Sequence, residues 1–219
     1  IDIDCLAREL YQIEEKNRYS EEKTKVVAIV GIAGTTETGN VDNLMALREL
    51  ADRYETHFHV DAAWGGPLLL VDEYKPLFKG IELADTVTFD AHKLLYSPLS
   101  MGMVLFRSRR HSTFLMHTSN YIIREDSVDQ GRFTVEGSRP FSCLKPWVTL
   151  KLFGQEGFRV LFEHASSLTN ALRTLVEENE NFEKMNYPEL FIFNYRFVPA
   201  KVQAMLRLLE KETVSGDIP

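Results

Sequence analysis

Two short segments of the chain combine side chains that can do covalent and acid–base chemistry. The first, His59-Val-Asp-Ala-Ala-Trp64, contains the carboxylate of Asp61, and the second, Asp90-Ala-His-Lys93, ends on a lysine. A lysine amine can form a Schiff base with an aldehyde, and a carboxylate can bind a protonated ring nitrogen. Because each segment coincides with the end of a predicted strand, we expect the two groups to lie near each other.

The two groups together indicate one kind of cofactor. Pyridoxal 5'-phosphate (PLP) needs a lysine for its aldehyde and an acid opposite its ring nitrogen, which stays protonated and makes the ring an electron sink. Each residue also has an ordinary structural interpretation. Lys93 taken alone is a solvated lysine beside a strand end, and Asp61 taken alone caps the next turn. Only their combination favours the cofactor.

Apolar runs rich in β-branched residues predict the strands that position these segments. The predicted strands are 26–32, 58–61, 86–90 and 102–106, and the first is expected to be buried on both faces. Strands that alternate with helices predict a largely parallel α/β sheet. In such sheets ligands bind beyond the carboxyl ends of the strands. The candidate residues predicted to lie there are Thr35, Thr36, Asp61, His92 and Lys93.

Helical periodicity predicts the remaining elements and a second domain. A helix is predicted to follow Asp42, which would be its N-cap. The other predicted elements are helices over 4–15, 141–153, 156–177 and 199–212 and a strand over 190–197. We therefore predict that residues 1–154 form part of one domain, and that residues 155–219 contain a connecting helix and part of a smaller second domain.

The composition argues against several classes of protein. The net charge of −7 disfavours nonspecific nucleic-acid binding, which relies on clustered positive charge. Cys5 and Cys143 are isolated, so no disulfide framework and no metal site are expected, and a reducing cytoplasm is the default location. No apolar run is long enough to cross a bilayer. Because the chain begins at Ile1 without a methionine, we expect a piece of a longer polypeptide.

Several segments together resemble the group II PLP-dependent amino-acid decarboxylases, the family of the glutamate, aspartate 1-, aromatic-amino-acid and diaminobutyrate decarboxylases. The matching segments include Ala33-Gly-Thr-Thr36, His59-Val-Asp-Ala-Ala63, residues 84–93 and Leu144-Lys-Pro-Trp147. The resemblance implies an α/β, type I PLP-dependent (aspartate-aminotransferase-like) fold. Only part of that fold would be present here, namely the C-terminal part of the large domain and the start of the small domain. It also implies a homodimer with its sites at the interface.

The resemblance further implies a role for each matching residue. Lys93 would bind the PLP aldehyde covalently and act in catalysis, and Asp61 would bind the pyridinium nitrogen. Ala63 would pack on one face of the ring, and His92 would help to hold the phosphate. Thr36 would contact the cofactor or the substrate carboxylate.

Further implied roles concern residues outside these strand ends. Asp42 would support the site from the helix that follows it. Tyr121 resembles the tyrosine of the family's mobile catalytic loop, which would deliver a proton to the substrate carbon after CO2 departs. The family's ring-stacking histidine and its Ser/Thr-rich phosphate loop belong upstream of the matching segments. Asp90, two residues before His92, is an unfavourable neighbour for a phosphate and has no implied role.

Three functions from different classes stay open at this point. The first is decarboxylation of an L-amino acid, the second is another type I PLP reaction such as transamination or carbon–sulfur lysis, and the third is an inactive fragment. His92 before Lys93, and two alanines after Asp61, favour the first. Arg139 favours an acidic substrate such as aspartate or glutamate, with aspartate 1-decarboxylation to β-alanine as a specific possibility. Arg139 can equally be a loop arginine that pairs with Glu136.

Overall fold

The structure, a computed structural model, describes residues 1–117 and 130–215 of the chain. The α-helices are α1 (Ile3–Tyr19), α2 (Leu44–Arg53), α3 (Arg109–Ser112), α4 (Leu144–Glu177) and α5 (Ala200–Ser215). The strands are β1 (Ala28–Ile32), β2 (His57–Asp61), β3 (Thr86–Asp90), β4 (Gly102–Phe106), β5 (Phe182–Lys184) and β6 (Tyr195–Phe197). The chain divides into two compact units, the first formed by Ile1–Thr35 and Asn40–Arg159, the second by Thr36–Gly39 and Val160–Pro219.

The first unit is built on a four-stranded sheet with the strand order β1-β2-β3-β4. β1, β2 and β3 run parallel, and β4 returns antiparallel beside β3. The largely parallel α/β sheet predicted from the sequence is therefore confirmed. The parallel arrangement brings the carboxyl ends of β1, β2 and β3 to one edge, which is where open α/β sheets bind their ligands.

One face of this sheet packs against α2. Phe58 and Val60 are completely buried and alternate with half-buried residues along β2. Leu44 and Leu47 of the helix are also buried. Gly31 of β1 allows the helix to approach, since a Cβ at this position would lie 2.8 Å from a methyl carbon of Leu47. Each of the large apolar side chains contributes about 1.5–3 kcal/mol through its burial.

The prediction that the first strand is buried on both faces is wrong. β1 alternates exposed and buried residues, so that Ile29 is buried while Val30 is 47% and Ile32 is 38% exposed. The reason is that α2 packs on the face of Ile29 and Gly31, whereas the face of Val30 and Ile32 is exposed in the described part of the chain. The strand also begins at Ala28, where its pairing with His57 of β2 starts.

The residue that caps α2 also differs from the prediction. The side chain of Asn43 accepts a hydrogen bond from the backbone N–H of Ala46 at 3.1 Å and is the N-cap. The carboxylate of Asp42 accepts instead from the backbone N–H of Ile32 at 2.7 Å. Asp42 therefore fastens the end of β1 rather than the start of the helix.

A buried ion cluster joins the elements at the opposite end of β3. The carboxylate of Asp85, which is 12% exposed, accepts hydrogen bonds from Arg48 at 3.1 Å, from Arg107 at 2.7 Å and from the N–H of Phe58 at 3.0 Å. Burial alone would raise the pKa of Asp85, but the bonds from Phe58, Arg107 and Arg48 hold it below its usual value. The cluster connects α2 with β2 and with the residue that follows β4.

α4 is interrupted at Gly154, where φ is 59° and ψ is −177°, values that do not belong to a helix. The two helices predicted on either side of this residue therefore meet there as expected, although the first begins at Leu144 rather than at residue 141. The left-handed φ explains why glycine occupies the interruption.

The second unit has a small core of its own. Phe162 and Val176 of α4 are buried together with Leu190, and the ring of Phe162 stacks on that of Phe191 with centroids 6.2 Å apart. β5 and β6 form an antiparallel pair beside this core.

The strand predicted over residues 190–197 is shorter than expected, because only Tyr195–Phe197 pairs as β6. The preceding residues bond to a side chain instead of a strand. The amide of Asn186 donates to the carbonyl of Ile192 at 2.9 Å, and its oxygen accepts from the N–H of Asn194 at 2.8 Å.

No helix in the described ranges combines the length and the apolar character of a membrane span. In the same ranges, no three potential metal ligands cluster. Cys5 and Cys143 are both free thiols at exposed positions.

Candidate functional site

The candidate residues of the first unit lie at the carboxyl edge of its sheet. β2 ends at Asp61, and β3 ends at Asp90, one short turn before Lys93. Asp61 is paired with Ile32 on one side and with Thr88 on the other. The sheet register therefore brings the residues that follow β1, β2 and β3 to one edge.

Asp61 presents a half-buried carboxylate at this edge. One oxygen accepts a hydrogen bond from the N–H of Ala63 at 3.0 Å, which closes a tight turn directly after the strand. Among the residues that the structure describes, no lysine, arginine or histidine forms an ion pair with this carboxylate. A half-buried carboxylate without a cationic side chain is a suitable partner for a protonated ring nitrogen of a ligand.

The turn after β2 is packed against the loop after β1 without space for side chains. A Cβ on Gly65 would lie 2.2 Å from the carbonyl oxygen of Ala33, and one on Gly34 would lie 2.9 Å from the Cα of Gly65. Gly34 also has a φ of 103°, which favours glycine. The two loops therefore form a fixed floor beside Asp61 and Ala63.

Lys93 lies on the turn that follows β3. Its backbone N–H donates to the carbonyl of Asp90 at 3.3 Å, and its carbonyl accepts from the N–H of Tyr96 at 3.0 Å. The Nζ of Lys93 lies 3.1 Å from an Oδ of Asp90, and the side chains are 37% and 18% exposed. The lysine amine is thus accessible and is held by a carboxylate.

His92 has one ring nitrogen engaged and the other near the site. Nδ1 lies 2.7 Å from the carbonyl oxygen of Met101 and 3.1 Å from its N–H. Nε2 lies 4.0 Å from an Oδ of Asp90. The contact with the carbonyl requires a proton on Nδ1, whereas the contact with the N–H requires a lone pair there, so the tautomer decides whether Nε2 can donate to an anion such as a phosphate.

The loop that carries His92 and Lys93 is fastened to the first part of α4. The buried hydroxyl of Ser97 donates to that of Thr149 at 3.1 Å. The Nζ of Lys145 donates to the carbonyl of Leu99 at 2.7 Å. This loop is therefore fixed at points beyond the lysine, which restricts where the Lys93 amine can reach.

Histidines and threonines form a hydrogen-bonded row on the sheet face that carries Asp61. His59 contacts the hydroxyl of Thr86 at 2.8 Å through Nδ1 and that of Thr88 at 3.0 Å through Nε2, and His57 contacts Thr86 at 2.7 Å. Burial, and to a smaller extent His57, lower the pKa of His59, while Asp61 opposes the shift. His59 is thus a neutral residue with both ring nitrogens bonded.

The remaining candidate residues are not brought to this edge by the described part of the first unit. Thr36 belongs to the second unit and is exposed there. Tyr121 lies outside the described residues. Arg139 lies in the exposed stretch 135–140, and Asp42 supports β1 as described above.

Sequence reasoning missed two features of the site. Asp90 was left without a role, although its position three residues before Lys93 is the spacing at which side chains meet across one turn. The row of threonines beside His59 was also missed. The alternation Thr86-Val-Thr88 was a signal for it, because alternate residues of a strand share a face.

Comparison with known proteins identifies the class of protein. The chain belongs to the pyridoxal-dependent decarboxylase family, whose conserved domain matches residues 7–197. It is 39% identical over 210 residues to the aspartate 1-decarboxylase of Aliivibrio fischeri, covering 96% of this chain and 37% of that protein. It is 28% identical over 204 residues to the L-2,4-diaminobutyrate decarboxylase of Acinetobacter baumannii, covering 91% of this chain and 39% of that protein.

A solved structure agrees with this assignment. The crystal structure of mouse CSAD superposes with a TM-score of 0.81 at 29% identity, covering 94% of this chain and 42% of that one. These findings confirm the family and the fold predicted from the sequence. The chain spans 37% to 42% of the length of these three relatives.

Proposed function

We propose that this chain takes part in the PLP-dependent decarboxylation of an L-amino acid to the corresponding amine and CO2. The proposal rests on one observation above all. In a member of the pyridoxal-dependent decarboxylase family, Asp61 and Lys93 follow adjacent parallel strands at one edge of the sheet. A carboxylate and a primary amine at neighbouring strand ends are the two groups that PLP requires.

The residues at the edge fit PLP by their chemistry. The Asp61 carboxylate has no cationic side-chain partner within the described ranges, so a pyridinium nitrogen would supply the missing charge. The small side chain of Ala63 leaves space for a flat ring, and the glycines beneath it form a floor with no room for larger residues. Nε2 of His92 would donate to a phosphate oxygen in the tautomer that carries its proton there.

Each residue of the edge then has a definite task. Lys93 would hold the aldehyde end of the cofactor through Nζ. Asp61 keeps the ring nitrogen protonated, because its negative charge stabilises the cation. PLP, when bound, supplies an electron-poor ring that accepts the electron pair released as the α-carboxylate leaves as CO2. Orienting that carboxylate would be a positional contribution of the residues around it.

Two further residues complete the proposal. Tyr121 delivers the proton that replaces CO2 on the substrate carbon, and Thr36 contacts the cofactor or the substrate carboxylate. Both roles follow from the resemblance of their segments to the family.

For the substrate, we propose an acidic amino acid and specifically aspartate, which would give β-alanine. The support is the 39% identity to a protein named aspartate 1-decarboxylase, together with the exposed Arg139, whose guanidinium can pair with a side-chain carboxylate. Relatives at 28% to 33% identity are named for diaminobutyrate, aromatic amino acids and cysteine sulfinic acid. The substrate must therefore be measured.

We also propose a homodimer with its sites at the interface, and a cytoplasmic location. Trp147 and Leu152 of α4 are 58% and 75% exposed, and a partner surface would remove them from water. The two free thiols suit a reducing compartment. Sedimentation or light scattering of the purified protein, with cofactor added, measures the first of these two properties.

The test of the proposed reaction is CO2 release from aspartate, glutamate, 2,4-diaminobutyrate and tyrosine in the presence of PLP. The matched variants are Lys93→Ala and Lys79→Ala, the second at an exposed lysine away from the edge. Release from aspartate that is lost only in Lys93→Ala supports the proposal. Release from a different amino acid corrects the substrate, and equal rates in the wild type and Lys93→Ala refute the role of the lysine.

A further inference from the structure

Among the described residues, Asp90 forms an ion pair with the proposed cofactor lysine, and the reaction proposed above does not use it. Its Oδ2 lies 3.1 Å from the Nζ of Lys93, and its side chain is 18% exposed. His92 also faces this carboxylate, with Nε2 at 4.0 Å. Asp90 therefore lies between the two side chains proposed to hold the aldehyde and the phosphate of the cofactor.

The surrounding backbone holds Asp90 in this position. The N–H of Asp90 donates to the carbonyl of Ala63 at 3.3 Å, and its carbonyl accepts from the N–H of Lys93 at the same distance. Across the strand pair lies Gly102, where a Cβ would be only 3.1 Å from an Oδ of Asp90. The space for the carboxylate thus depends on glycine at the opposing position.

A second lysine–aspartate pair with the same spacing in the sequence shows that the low exposure of the Lys93–Asp90 pair is unusual. Lys75 and Asp72 are also three residues apart and in contact, but their side chains are 53% and 73% exposed. Pairs that are surrounded by water contribute little, since solvent and salt screen them. The side chains of Lys93 and Asp90 are less exposed than those of Lys75 and Asp72. In the proposed chemistry, moreover, the amine of Lys93 is bound to the cofactor at some stages and free at others.

We propose that Asp90 is a positioning residue that binds the ammonium group of Lys93 whenever this amine is not covalently engaged. This inference rests on the proposed function, in which Lys93 alternates between the two conditions. A free lysine has a long and flexible side chain, and the carboxylate keeps its nitrogen at the edge of the sheet. While the amine is free, the lysine in turn supplies the counter-charge of Asp90.

The test is competitive acetylation of the cofactor-free protein with acetic anhydride, followed by mass spectrometry of the peptides that contain Lys93 and Lys75. Loss of the carboxylate in Asp90→Asn removes the contact that holds Nζ at the edge of the sheet, so acetylation of Lys93 should become about two- to fivefold faster at pH 8, the range for a partly exposed pair. Added salt should speed acetylation of Lys93 in the wild type and have less effect in Asp90→Asn.

Matched variants make the experiment decisive. Asp90→Glu keeps the charge and should keep Lys93 slow, whereas Asp72→Asn should change Lys75 by less than about twofold and leave Lys93 unchanged. Lys75 is also the internal reference for folding in Asp90→Asn. An unchanged rate at Lys93, or an equal rise at Lys93 and Lys75, overturns the proposal.

The failure of this proposal can be distinguished from failure of the proposed function. Acetylation is measured without cofactor and reports the ion pair alone. Reduction with borohydride after PLP has been added reports which lysine binds the cofactor. Acetylation can show the expected Lys93–Asp90 ion pair while borohydride reduction places PLP on another lysine. That combination would overturn the role proposed for Asp90.

Discussion

The substitution Asp85→Asn tests whether the buried ion cluster holds the sheet together. Asparagine keeps the shape of the side chain, removes its charge and replaces one accepting oxygen by a donating NH2 group. With the amide oxygen toward Arg48 and Phe58, the bond from Arg48 loses its charge assistance and the bond from the more exposed Arg107 is lost to water. A hydrogen bond to a charged group contributes about 1.5–3 kcal/mol and a neutral one about 0.5–1.5 kcal/mol. The loss at Arg48 is thus about 1–1.5 kcal/mol. That at Arg107, which is 49% exposed, is discounted to about 0.5–1 kcal/mol.

With a small loss at the N–H of Phe58, the free energy of unfolding should fall by about 2–3 kcal/mol, which corresponds to a melting temperature lower by about 5–10 °C. The assay is thermal unfolding followed by circular dichroism. The matched control is Asp52→Asn, which removes the other carboxylate bound to Arg48. Asp52 is 68% exposed, so this change should cost less than about 1 kcal/mol. Equal melting temperatures for the wild type and Asp85→Asn would refute the reasoning, as would equal losses in both variants.

The same cluster predicts a pH dependence with a definite sign. The folded pKa of Asp85 lies below its ordinary value of 3.8, so the folded state binds its proton less readily than the unfolded state does. The stabilisation is therefore complete well above pH 3.8 and is lost as the pH falls through the folded value. The difference in unfolding free energy between the wild type and Asp85→Asn should shrink below about pH 3.8 and stay constant between pH 6 and 8.

Three other predictions concern the edge of the sheet. Gly65→Ala should lower the melting temperature by several degrees, because its Cβ would lie 2.2 Å from the carbonyl oxygen of Ala33, whereas Gly137→Ala meets nothing within 4 Å and should not. His59 has a folded pKa below its ordinary 6.5, so the wild type should lose stability as the pH falls below about 6.5, and His59→Gln should lose less over the same range. Asp61→Asn should reduce CO2 release at least about tenfold, a loss of 1.4 kcal/mol or more, while PLP still attaches to Lys93; an unreduced rate would contradict the role of the carboxylate.

The positions of the strands were predictable because their signals are local. The apolar run before Asp61 and the run ending at Asp90 each stop where the polar chemistry begins, and in a parallel sheet both ends fall on one edge. The antiparallel return of β4 was not predicted, since periodicity carries no information about strand direction. Burial of β1 on both faces was wrong for a related reason, because an apolar run does not reveal which faces of a strand other elements will cover.

Side-chain partners were the part that the sequence could not supply. Asp42 and Asn43 are both good N-caps, and only the course of the chain after Ile32 decides which of them meets the helix. Asp90 looked unfavourable while it was considered as a lone charge beside His92. The structure adds a partner that the sequence did not reveal, because the Nζ of Lys93 lies 3.1 Å from its carboxylate.

The measurement that tests the central claim most directly is to map the lysine that binds PLP. The purified protein is incubated with PLP and reduced with borohydride, and its peptides are then examined by mass spectrometry for the pyridoxyl group. The account predicts that the group is attached to Lys93 and that Lys93→Ala carries none. Attachment to another lysine, or equal labelling of Lys93→Ala, would contradict it.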